Sequence, residues 1–216
     1  MSNASKIIGS VTEILEGLPV EELQHMRRVG TLVGCFTERL GACGFPDVSA
    51  DEYRLFGSAA FYHDIGKAWI PHGILTKPDL LTECEMLVVR RHPVFARRLF
   101  EQIRLGIISG MPEQLLQLAE DSAVYHHEFW NGSGYPYGIS CVNIPLIARI
   151  TKICDAYDAM TSDRIYRKGH SREHARQELK QYAGIQFDPE LVDNFLTAEA
   201  DPDFCIYAFS PYHESL

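Results

Sequence analysis

Apolar positions along this chain recur mostly at three- and four-residue spacings, and strict alternation is scarce, so the pattern predicts helices. Near residues 5–16, Ile7, Ile8, Val11, Ile14 and Leu15 mark a short amphipathic helix that Gly17 ends. Pro19, suited to a first helical position, opens a second helix to about Leu40, with Val29, Leu32, Val33, Phe36 and Leu40 on its apolar face. A third runs from about Ala50 to Asp64, stopped by Gly66, and the stretch 68–80 with Pro71, Gly73 and Pro78 reads as a loop. Thr82 and Glu85 form a capping box that opens a helix towards Phe100. Pro93 inside it implies a kink or a junction of two helices at His92. Further helices start at Pro112, Pro145, Ser171 and Pro189, and the one from Pro145 to Met160 is apolar nearly all round, hence central. The expectation is an all-α bundle of about seven to nine helices with no substantial sheet. It divides into an N-terminal extension over 1–18, a main domain over 19–199 and a tail over 200–216 that packs on the body.

Some polar residues fall where this pattern predicts burial. Stepping the second helix's face backwards reaches His25 and then Glu21. His63-Asp64 closes the third helix, His92 precedes Pro93, His126-His127 closes the helix from Pro112, and Asp155 and Asp158 share a face of the central helix. Each has an ordinary explanation on its own: a first-turn acid for Glu21, a satisfied core histidine for His25, a turn cap for Asp64, and Arg149 or Arg164 as partner for the aspartates. Together they are a costly set, because buried ionisable groups need partners or metals. Glu21, His25, His63, Asp64, His92, His126, His127 and Asp155 are all nitrogen or oxygen donors with no thiolate among them. That chemistry suits iron, manganese or zinc, and magnesium or calcium less well. The set exceeds the needs of one ion, so it implies two divalent metals, or three if Glu21 joins. Paired metals about 3.5–4 Å apart hydrolyse phosphate esters by in-line attack. Lys67 and the Arg164/Arg167 pair are further clamps for an anionic substrate, and Trp130 and Tyr135, in a loop rich in glycine and aromatics, offer flat faces for a nucleobase.

Composition narrows this picture. At 216 residues and 46% hydrophobic content the chain can bury a full core. A net charge of −9 argues against a partner held by its phosphate backbone, so no DNA or RNA is expected. The six cysteines form no C-x-x-C pair, and several, lying in apolar runs, read as small core residues. No secretory h-region and no 18-residue apolar span appears, which predicts a cytoplasmic protein without membrane insertion. Met1-Ser2-Asn3-Ala4 reads as partly an expression remnant and is left out of the fold.

The ordered set His63-Asp64-Ile65-Gly66-Lys67, His92-Pro93, His126-His127-Glu128 and Gly134-Tyr135-Pro136, followed by Asp155 to Arg164, resembles the HD-GYP subgroup of the HD metal-dependent phosphohydrolases. The likeness covers roughly Val20 to Leu196. It implies hydrolysis of cyclic di-GMP to the linear dinucleotide, and on to GMP if a third metal favours a second cleavage, by a metal-bridging hydroxide at an iron- or manganese-type centre; zinc, nickel or magnesium are the other ions it admits. By position, His63, Asp64, His92, His126, His127 and Asp155 match that family's ligands, His25 its early-helix histidine, and Glu21 the acid of a third metal. Asp64 and Lys67 become the catalytic pair. Lys67, Gly134, Tyr135, Pro136, Asp158, Arg164 and Arg167 become the substrate contacts. Asn131 stands where the family loop usually has Asp. Two rivals are a related phosphohydrolase of another cyclic nucleotide and a non-catalytic module that binds the dinucleotide and signals. A homodimer or a sensory partner protein is compatible with either.

Overall fold

The structure is a computed structural model that describes residues 9–44, 49–163, 168–201 and 203–204. In chain order it runs β1 (Gly9–Ser10), α1 (Val11–Glu16), α2 (Val20–Ala42), α3 (Ala50–Ala60), a 3₁₀ turn (Ile65–Trp69), α4 (His72–Leu75), α5 (Glu83–Val89) and α6 (His92–Arg104). It continues through β2 (Ile108–Ser109), α7 (Glu113–Tyr125), α8 (Leu146–Thr161), α9 (Arg172–Gln181) and α10 (Pro189–Glu199). The fold is all-α as expected; among the described residues the only sheet is the two-residue parallel pairing of β1 with β2. Within this expected bundle, some short segments separate out. One is α4, inside the stretch read as loop, and another is α5, divided from α6 at Arg90-Arg91.

Local chemistry explains most boundaries. Thr82 caps α5 with the reciprocal Glu85 bonds of a capping box, and Ser10 and Glu13 do the same for α1. Pro93 falls in the first turn of α6, where its missing N–H costs nothing, so the junction reading at His92 holds. α3 stops earlier than the pattern implied. After Ala60 the chain tightens to i→i−3 bonds, His63 N to Ala60 O at 3.0 Å and Ile65 N to Tyr62 O at 3.0 Å, so His63-Asp64 lies in a turn and not on a helix. The cause is distant in sequence. A Cβ on Gly66 would lie 2.0 Å from the His92 carbonyl oxygen and 2.7 Å from Ala96 N, so the turn is pressed against the start of α6.

The central helix is α8, with Ile147, Ile150, Ile153, Cys154 and Tyr157 buried. Phe195 of α10 meets Phe36 and Tyr157 edge-on at 5.2 Å each. Of the cysteines, Cys154 is in the core and Cys35 packs against it, as read from their apolar runs, whereas Cys43, Cys84 and Cys141 are exposed. The start of the tail packs on the body through Phe204, which is buried 5.9 Å from Phe195. The rest of the tail, along with Ile7, Ile8, Arg164 and Arg167, lies outside the described residues. No helix among the described residues is long and apolar enough to cross a membrane.

Candidate metal centre

Three histidines share one construction. His63 Nδ1 lies 3.0 Å from Ala60 O, His92 Nδ1 2.8 Å from Val89 O, and His126 Nδ1 2.9 Å from Ser122 O. A carbonyl can only accept, so each Nδ1 carries the hydrogen and each Nε2 keeps a lone pair. Those lone pairs converge on Asp64. Its Oδ1 is 3.2 Å from His92 Nε2 and 3.9 Å from His126 Nε2, and its Oδ2 is 3.2 Å from His63 Nε2 and 3.7 Å from His25 Nε2. Asp64 Oδ1, His92 Nε2 and His126 Nε2 are buried with no hydrogen-bond partner. Three buried acceptors aimed at one another are unfavourable unless a cation lies among them. The donor set therefore fits divalent metals. Two groups come close enough to hold an ion, Asp64 with His92, His126 and His127, and Asp64 with His25 and His63.

Electrostatics keep His92, His126, His127 and the carboxylates of Asp64 and Asp155 in the form that a metal needs. Burial and the neighbouring His63 push His126 down to about 3, and burial lowers His92 and His127 as well. Burial works to raise Asp64, but Lys67 and His63 outweigh it and hold the carboxyl well below the usual range. Asp155 is likewise held low, with His25 overcoming its burial.

His25 is built differently. Its Nε2 is 3.1 Å from Asp155 Oδ1 and its Nδ1 2.7 Å from Asp158 Oδ2, so it spans the two aspartates that share a face of α8. Burial would lower it, but those two carboxylates raise it to about 10. Asp158 is almost completely buried and is also gripped by Arg28, Nε to Oδ1 at 2.7 Å and Nη2 to Oδ2 at 3.0 Å, and by Ser162 Oγ at 2.9 Å. Both oxygens of Asp158, expected as a substrate contact, are thus engaged within the protein, where they hold the His25 ring in place. Glu21, expected as the acid of a third metal, is exposed and joins neither donor group; its neighbour Glu22 turns inwards, 2.7 Å from Lys67 Nζ. Lys67 bridges Glu22 and Asp64, with Nζ 2.8 Å from Asp64 Oδ2.

The loop after α7 forms one wall. Glu128, fully buried, accepts from Tyr137 N at 2.6 Å and Gly138 N at 3.0 Å, pinning the loop beside the histidines. A Cβ on Gly134 would fall 2.2 Å from Phe129 N, so only glycine lets the chain double back here. Tyr135, joined to Pro136 by a cis peptide, then stacks on His127 with ring centroids 4.7 Å apart and planes 16° from parallel. Asn131 accepts from Ser133 N at 3.0 Å and Ser133 Oγ at 2.7 Å, a turn bond that either an amide or a carboxylate oxygen can make. Trp130, expected as a nucleobase platform, has the Arg149 guanidinium over its ring, 5.9 Å from the ring centre.

The HD domain family model matches residues 11–191. The chain belongs to the HD domain family. Relatives of this HD domain include a protein named cyclic di-GMP phosphodiesterase from Thermotoga maritima, 36% identical over 88% of this chain and 49% of that one. A protein named 3'3'-cGAMP-specific phosphodiesterase 2 from Vibrio cholerae is 31% identical over 89% of this chain and 34% of its own length. The chain thus spans half or less of the curated relatives it matches. Among solved structures, an HDG"Y"P protein from Bdellovibrio bacteriovorus shares the HD-domain fold, with a TM-score of 0.59 at 17% identity over 82% of this chain and 52% of that one.

Glu22 and Arg28 were missed in the sequence. Both lie three residues from His25, on either side, so the helical spacing that selected Glu21 would also have admitted them.

Proposed function

We propose that this chain is a metal-dependent phosphodiesterase that hydrolyses a cyclic dinucleotide, cyclic di-GMP foremost, with residues 19–199 as the catalytic body and the cytoplasm as its place of work. The observation that carries the reading is the set of three buried, unpartnered acceptors on Asp64, His92 and His126. The relatives' names support the substrate class. His25, His63 and Asp64, with Asp155 beside them through its contact with His25, would hold one metal, and Asp64, His92, His126 and His127 the other. Iron or manganese best matches this imidazole-rich, thiolate-free set. When bound, the metals supply Lewis-acid activation of the nucleophile and of the scissile phosphate.

The chain's own residues do the rest. Asp158 and the three backbone carbonyls fix the imidazole orientations, so little reorganisation accompanies the reaction. Lys67 places a positive charge at the rim of the centre. Tyr135 offers the ring face turned away from His127 to a base, Gly134 and Pro136 shape that wall, and Arg164 and Arg167 are proposed from the motif as phosphate contacts. Incubating manganese- or iron-loaded protein with cyclic di-GMP should release the linear dinucleotide, and Asp64→Ala should not. A mixed cyclic GMP–AMP substrate is the second reading, favoured by the Vibrio relative. A panel of cyclic dinucleotides compared by kcat/KM separates the two. No released nucleotide at full metal occupancy would instead indicate a binding module.

A further inference from the structure

Lys67 has two carboxylate partners at almost equal distance, Asp64 Oδ2 at 2.8 Å and Glu22 Oε2 at 2.7 Å. Its side chain is 16% exposed, so water offers the ammonium little alternative. The same Asp64 oxygen faces His63 Nε2 at 3.2 Å and His25 Nε2 at 3.7 Å, which puts it inside one of the two donor groups. Any divalent cation using that oxygen meets an ammonium already bonded to it. Two cations on one oxygen repel, and the repulsion is strong where solvent is scarce. The ammonium therefore needs a second acceptor to lean on when the metal arrives. Glu22 is in place to be that acceptor, with its Oε2 2.7 Å from the same Nζ.

We infer that Glu22 is a positioning residue for the metal centre: it gives the Lys67 ammonium a second carboxylate to bond, so that Asp64 can yield its oxygen to a metal. The inference rests on the metal reading proposed above and adds a residue that the motif does not contain. It also explains why Glu22, and not the expected Glu21, turns inwards from the first turn of α2. Without its charge, Lys67 leans wholly on Asp64 and competes with the incoming ion. With no ammonium at position 67, Glu22 has nothing to hold.

The test is calorimetric titration of chelator-stripped full chain with Mn²⁺ alone. Glu22→Gln keeps the shape and an acceptor oxygen, and it should weaken Mn²⁺ about five-fold. In a Lys67→Met background the same change should alter affinity by less than about two-fold. Circular dichroism of each variant confirms the helical fold, and Glu22→Ala, which removes the acceptor as well, should weaken Mn²⁺ further. An equal loss in both backgrounds would mean that Glu22 acts on the metal directly, and no loss in the native background would mean that it does nothing; either overturns the inference. Native protein that takes up Mn²⁺ no better than Asp64→Ala would overturn the metal reading itself, and this inference with it.

Discussion

Arg28 holds Asp158 with two nitrogens, at 2.7 and 3.0 Å, while the same carboxylate accepts from His25 Nδ1 at 2.7 Å. One histidine of the centre is thus backed by an anion where His63, His92 and His126 are backed by neutral carbonyls. A carboxylate behind an imidazole raises its strength as a ligand. Asp158→Asn should therefore weaken metal retention on the His25 side on the order of 10–100-fold and leave the His92–His126–His127 side loaded. Metal per chain after gel filtration, measured by elemental analysis, should fall from two towards one. Retention of both would contradict the assignment.

Asp64 is common to both donor groups, so its removal should empty both. Asp64→Ala is expected to abolish turnover with loss of bound metal while the helical content is kept. Arg164→Ala, by contrast, should raise KM with the metal retained. Elemental analysis paired with steady-state kinetics checks both outcomes.

The wall loop makes a separate prediction. Gly134→Ala would place a methyl group 2.2 Å from Phe129 N and 2.6 Å from the Glu128 carbonyl carbon. The chain must move, at a cost of about 1–3 kcal/mol in stability. Because the movement takes Tyr135 off His127, activity should fall more than stability does, with metal content intact. Denaturant unfolding and kinetics on one preparation give both values.

Acid should destabilise the metal-free protein in a defined window. His126, held at about 3 by burial and His63, stays neutral in the folded chain while an unfolded histidine takes up a proton near 6.5. Between those values the unfolded state binds more protons, so stability falls as pH drops below about 6.5, by up to about 1.4 kcal/mol per pH unit for each such histidine. His92 and His127, also lowered by burial, act in the same direction. His25 does not oppose this. Raised to about 10, its contribution is complete below 6.5 and is lost only as pH rises towards 10. Urea unfolding of chelated protein from pH 7 to 5 should show the decline, and a flat profile would contradict it.

Where the signal is local, the chain announces its structure. The capping pair Thr82–Glu85 and the prolines at 112 and 145 place three helix starts, because caps and missing N–H groups act within one turn. The residues that gather around Asp64 were legible for a related reason: ionisable groups on apolar faces are conspicuous in any helical pattern. Glu21 and Glu22 could not be told apart, since a 3.6-residue period lies between three and four. Arg28 stayed hidden because its partner Asp158 is on another helix. The end of α3 was misplaced because the feature that shortens it is a contact with α6, far along the sequence.

That contact has a further consequence. Gly66 does not occupy a left-handed conformation, so its value here is thinness and not suppleness. It acts as a shim of zero thickness between the segment bearing Asp64 and the segment bearing His92. Any thicker residue would jack the two apart at the point where they must nearly touch. The glycine in this motif is best understood as a tolerance on a machined gap.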